Sequence, residues 1–135
     1  MMAIDSKRDK MSYPLMLKLA ALSGFLAVAL GAFGAHGLKL YLSSDMLVVY
    51  QTAVHYQFIH TLALLVVAIL MFQFPQVGLL MWAGLAFIAG IIIFSGSLYL
   101  LSLSGIKWLG AITPIGGLGF LVGWFLLFAA AFKLN

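Results

Sequence analysis

Apolar residues dominate four runs along the chain, at about 15–35, 46–72, 77–103 and 113–132. A helix that crosses a bilayer needs about 20 predominantly apolar residues, and each run supplies that length. The connections between them are short, so an antiparallel up-down order is the arrangement they permit. The pattern predicts an all-α integral membrane bundle of four transmembrane helices over residues 15–135. Residues 1–14 are expected to form a cytoplasmic N-terminal tail. Its charges followed by an apolar run resemble a signal peptide, but the run continues to Ala35. An h-region is only about 7–15 residues long, so a retained first span is expected instead.

Polar residues mark the ends of these runs. Ser43, Ser44 and Asp45 offer a capping hydroxyl and an acid for the first turn of the second helix, where the helix dipole favours negative charge. Thr113 before Pro114 offers a cap and a proline at the first helical position of the fourth. Gln73-Phe74-Pro75-Gln76 ends the second helix and begins the third.

Inside the runs, polarity is uneven. QTAVHYQFIH, residues 51–60, leads into TLALLVVAILMF, in which nothing polar follows Thr61. In an up-down bundle this stretch shares one side of the membrane with the end of the first span, the end of the third and the start of the fourth. The same side then holds His36, Tyr50, Ser95, Ser97, Tyr99, Ser102 and Thr113. The opposite half holds little besides Lys18 and Gln73. At about 100° per residue, Gln51 and His55 share one helix face and Tyr56 and His60 another. His55 and His60 diverge by about 140°, an arrangement unsuited to holding one metal from one helix. A polar group at membrane depth is costly unless it pairs or faces a cavity. His60 is therefore expected to face the bundle, opposite Ser95 and Tyr99. The candidate polar layer comprises His36, Gln51, Tyr56, Gln57, His60, Ser95, Ser97, Tyr99 and Thr113. It serves either as an interhelical hydrogen-bond network or as a ligand site. His36, at a helix end, is placed to meet the last carbonyls.

Small residues recur at spacings of three and four. Ala20, Gly24, Ala27, Gly31 and Ala35 do so in the first span, Ala83, Ala86 and Gly90 in the third, and Gly116, Gly119 and Gly123 in the fourth. Such seams let helix backbones approach in lipid. Close approach of spans one and four through their glycines is expected, with self-association as a further use of a seam.

Composition agrees with this pattern. Hydrophobic residues make up 65% of the chain and charged residues 7%, against about a quarter charged in a soluble domain. The net charge is +4, but no basic stripe is interleaved with exposed aromatics, so no nucleic-acid partner is expected. Lys7, Arg8, Lys10, Lys18 and Lys133 flank one side, and Lys39 and Lys107 the other. The positive-inside bias then puts both termini in the cytoplasm.

The chemistry is bounded by what the chain lacks. There is no cysteine, which removes disulfides, thiolate metal sites and cysteine nucleophiles. The acids are Asp5, Asp9 and Asp45, all outside the spans. No intramembrane carboxylate pair exists for acid–base hydrolysis or ion coupling. No HExxH or phosphate-cradling glycine loop is present.

Four segments together carry a resemblance. They are ALGAFGAHGL at 29–38, YQTAVHYQFIHTLAL at 50–64, FSGSLYLLSLSG at 94–105 and TPIGGLGFLVGW at 113–124. In this order and spacing the chain resembles the small bacterial membrane proteins of the YgdD/YwdK type, a domain-of-unknown-function family. The match covers nearly everything beyond the N-terminal tail. The family's YQ..H element falls on Tyr56, Gln57 and His60, and its G-A-H element on Gly34, Ala35 and His36. The resemblance implies no fixed histidine at His55. It implies four spans in a bacterial inner membrane and supplies no activity.

The leading expectation is a non-enzymatic membrane component that associates with lipid, with another membrane protein or with a second copy. The alternative is a binder of a small amphipathic molecule, a quinone, lipid headgroup or haem, in the polar layer; His36, His55 and His60 are the candidate axial ligands for haem. No resident cofactor or metal is expected.

Overall fold

The computed structural model describes residues 2–135, with side chains from Tyr13 onward. Among the described residues the secondary structure is helical: α1 (Met2–His36), α2 (Ser44–Gln73), α3 (Leu79–Gly90), α4 (Gly96–Ser104) and α5 (Thr113–Ala131). A π turn, Ile91–Ser95, joins α3 to α4 and makes them one apolar span, Leu79–Ser104. Short 3₁₀ segments, Leu38–Leu40 and Lys107–Ala111, precede α2 and α5. Four helical stretches are long and apolar enough to cross a membrane: Tyr13–Leu40, Ser44–Gln73, Leu79–Ser104 and Lys107–Ala131. Helix α1 itself starts at Met2, so its backbone runs through the segment set apart above as a tail.

Local chemistry explains most of the ends. Ser43 caps α2, its hydroxyl accepting from the Met46 N–H at 3.3 Å, and Asp45 lies in the first turn. Gly105 ends α4 in the left-handed region at φ 72° and donates to the Leu101 carbonyl at 2.8 Å. That conformation carries no side-chain penalty in glycine. The expected cap at Thr113 is not formed. The preceding 3₁₀ turn already supplies the helix entry, so Thr113 is itself the first residue of α5 and its hydroxyl turns inward.

Packing runs α1 on α2, α2 on the third span, and the third span on α5, with α2 the most buried. The expected glycine seam between spans one and four does not form; each glycine stripe is used within its own hairpin. A Cβ at Gly31 would lie 3.2 Å from Val54, and one at Gly24 would lie 3.5 Å from Thr61, both on α2. The stripe in α5 faces Phe94, Gly90 and Phe87 of the third span. The reason is interlock of large and small. Gly34 seats the Tyr50 ring, Gly90 the Phe120 ring and Gly123 the Phe87 ring; a Cβ would lie 2.4, 2.4 and 2.6 Å from ring carbons. Gly116 is different, because its Cβ would meet backbone, 2.3 Å from the Phe94 nitrogen.

The half of the bundle away from the polar stretch is a dry core in which Leu64, Val67, Leu80, Ala83 and Phe87 are buried. Large side chains such as Phe25, Ile92, Leu121 and Phe125 point outward. In lipid that exposure carries no hydrophobic penalty.

Candidate functional site

The polar residues of α2 project from a helix packed on two sides, and they divide between those neighbours. Gln57 faces α1 and α4. Its amide nitrogen donates to the Ser23 carbonyl at 3.0 Å and reaches the Ser23 hydroxyl at 3.4 Å. Its amide oxygen accepts from the Tyr99 hydroxyl at 2.7 Å. One turn on, Thr61 shares a 2.6 Å hydrogen bond with the Ser23 hydroxyl. Tyr50 lies edge-on to Tyr99 at 5.3 Å and donates to the Leu30 carbonyl at 2.5 Å. Three spans are thereby joined through Gln57.

A second group lies along the π turn. Ser95 donates to the Ala53 carbonyl at 2.8 Å and Ser97 to the Phe94 carbonyl at 2.9 Å. Ser97 also pairs with the Thr113 hydroxyl at 2.7 Å, tying α4 to the start of α5. Ser102 donates to the Tyr99 carbonyl at 3.0 Å.

His60 is buried and faces α5 rather than α4. Its ring stacks on Phe120 with centroids 3.5 Å apart. The Trp124 indole donates to Nε2 at 3.0 Å, and Nδ1 lies 2.7 Å from the Tyr56 carbonyl. An indole N–H only donates, so Nε2 is the acceptor and Nδ1 carries the proton. The imidazole is neutral and held in one tautomer. Nitrogen NMR on ring-labelled protein should show Nε2 unprotonated, and Trp124→Phe should release that preference. His60→Leu strands the Trp124 N–H and removes the second donor to the Tyr56 carbonyl, which keeps its bond within α2, and should cost about 1–3 kcal/mol in thermal unfolding. His55→Leu should be near neutral, because His55 is exposed.

The expected partnership of His60 with Ser95 and Tyr99 is therefore replaced: Tyr99 meets Gln57, Ser95 meets the Ala53 carbonyl, and His60 meets Trp124. His36 and Gln51 are exposed and stand outside the hydrogen-bonded groups. Ser23, Thr61 and Trp124 belong to these groups and were absent from the candidate set. Ser23 had a signal, since it lies on the small-residue face of α1 between Ala20 and Ala27. Trp124 had one too, four residues after Phe120. Among the described residues no buried side-chain nitrogen or oxygen is left without a partner.

Two clefts flank α2. One, of about 310 Å³, lies against α1 and is lined by Gly31, Gly34, Ala35, Tyr50, Gln51 and His55, among others. The other, of about 580 Å³, opens between α2 and α5.

The profile of the DUF423 family, described as "Protein of unknown function", matches residues 30–117. UPF0382 membrane protein YwdK of Bacillus subtilis is 47% identical over 115 residues, covering 85% of this chain and 94% of that protein. The chain belongs to the DUF423 family. A UPF0382 membrane protein of Staphylococcus aureus is 48% identical over 119 residues, covering 88% and 96%. UPF0382 inner membrane protein YgdD of Escherichia coli is 42% identical over 120 residues, covering 89% and 91%. No solved structure matches the chain. The DUF423 segment contains Tyr50, Gln57, His60, Ser95, Tyr99 and Thr113, whereas Ser23 and Trp124 lie outside it. The family resemblance read from the sequence is thus shown, and these names state a membrane location and give no specific activity.

Proposed function

We propose that this chain is a non-enzymatic component of the bacterial inner membrane that acts by associating with a second membrane helix, supplied by another copy of itself. The observation that carries this reading is the division of its polar groups. The buried ones are consumed by bonds within the bundle, while Gln51 faces outward beside the cleft edged by Gly31 and Ala35. A lipid-facing amide is costly inside the hydrocarbon, and pairing across an interface offsets that cost. Relatives named membrane and inner membrane proteins support the location.

The test is the protein's mass in native-lipid nanodiscs, by light scattering. A dimer or higher oligomer is expected, reduced to monomer by Gln51→Leu with the melting temperature maintained. A monomeric parent, or an oligomer indifferent to Gln51, overturns the proposal. For orientation, the excess of Lys7, Arg8, Lys10, Lys18 and Lys133 supports cytoplasmic termini. Reporters fused at Asn135 and within residues 40–44 should then report opposite compartments, with Asn135 inside.

A further inference from the structure

Between α2 and α5 the bundle opens laterally into the groove of about 580 Å³, walled by Tyr56, Phe94, Phe120 and Trp124 and edged by His55 and Pro114. That volume lies within the range of small-molecule sites, about 300–1,000 Å³. The His60 imidazole and the Trp124 N–H at its floor are bonded to each other. Two polar groups on its wall are uncommitted. Tyr56 is 39% exposed, and neither its hydroxyl nor the His55 imidazole bonds any described residue. The two rings meet edge to face at 6.3 Å.

Depth identifies what these groups meet. Helix α2 has 30 residues, so at 1.5 Å per residue it is about 45 Å long, against about 30 Å of hydrocarbon. Centred in the bilayer, it places Tyr56 roughly 10 Å below the polar boundary. A phospholipid headgroup does not reach that level, and an acyl chain there leaves both donors unpaired. Along α5 the groove runs from Pro114 to Trp124, about 15 Å, which is half a bilayer and too short to seat a crossing helix. The remaining chemistry is a flat ring that carries hydrogen-bond acceptors to this depth on an apolar tail.

We propose that the groove between α2 and α5 binds the head ring of a lipid-soluble quinone, with Tyr56 and His55 donating to its carbonyl oxygens. The aromatic walls contact the ring faces and edges, and the lateral opening lets the tail lie in lipid. This site does not use Gln51; His55 also edges the cleft against α1, so Tyr56→Phe and Gly117→Phe, at residues that line the groove alone, are the variants that separate it from the association reading.

Trp124 lines the groove and reports on it. In the full chain with Trp82→Phe and Trp108→Phe, Trp124 is the sole indole, and a quinone ring held beside it quenches its emission. Titration with decylubiquinone in nanodiscs is expected to give saturable quenching. Tyr56→Phe and His55→Leu should each weaken Kd by about three- to tenfold, the measure of one lost hydrogen bond. Gly117→Phe fills the groove from a position whose Cβ makes only ordinary contact, 3.8 Å from Phe94. It should abolish saturable quenching at an unchanged melting temperature. Three results overturn the proposal: quenching that rises linearly with quinone, quenching that survives Gly117→Phe, or decylbenzene competing as well as decylubiquinone. The last would make the groove a slot for apolar tails. The nanodisc mass is a separate readout, so failure here leaves the association reading standing, and the converse holds.

Discussion

Gly116→Ala should unfold this protein more readily than any other single methyl addition in its glycine stripes. The added Cβ would lie 2.3 Å from the Phe94 nitrogen and 2.7 Å from its Cα. Backbone cannot rotate away as a side chain can, so α5 must lift from the third span along its whole seam. Gly119 would follow, because its own Cβ direction already points 3.3 Å from the Gly90 backbone. Overpacking a well-packed interior costs about 1–3 kcal/mol, and a clash with backbone belongs at the upper end, about 3 kcal/mol. Gly24→Ala is the matched control. Its Cβ would meet only the Thr61 methyl at 3.5 Å, an ordinary contact. Thermal unfolding in detergent should show a large loss for Gly116→Ala and little change for Gly24→Ala. Equal losses would mean that the α5 interface yields without cost and that its close approach is incidental.

Gln57→Leu should have the next largest effect. The leucine fills similar space but removes both the acceptor of the Tyr99 hydroxyl and the donor to the Ser23 carbonyl. Leaving a buried polar group unpaired costs about 1–3 kcal/mol. Tyr99→Phe breaks one of the same bonds from its other end. It keeps the bond from Gln57 to Ser23 but leaves the buried Gln57 amide oxygen without its donor, so it should cost about 1 kcal/mol, the low end of the same range. The double variant separates network from packing. With Tyr99 already phenylalanine, no hydroxyl is stranded by Gln57→Leu, so the double variant should be at least as stable as Gln57→Leu alone. Strict additivity would show that Gln57 and Tyr99 do not act as a pair.

These two sites show where the sequence was informative. Four spans, their order and the concentration of polarity around residues 50–60 follow from hydropathy along the chain, because a bilayer requires a continuous apolar helix. Ser43 as a cap was readable for the same local reason: its hydroxyl serves an N–H three residues away. Thr113 illustrates the limit of local reading. Its environment is shaped by the 3₁₀ turn before it and by Ser97 across the interface, and neither is visible in the pair Thr113-Pro114.

Gln57 and His60 mark the boundary most clearly. Three residues apart, they differ by only about 60° around α2. That small angle sends Gln57 to Ser23 and Tyr99 and sends His60 to Trp124. Hydropathy specifies that α2 crosses the membrane and that these residues lie near its middle. It carries no information about how far each neighbouring helix is rotated about its own axis. Those rotations come from side-chain interlock, with the Phe120 ring seated over Gly90 and the Tyr50 ring over Gly34. The sequence by itself determined the spans, the family and the level of the polar residues. The packed structure decided their partners, because partner choice depends on helix rotation and rotation depends on contacts between residues far apart in the chain.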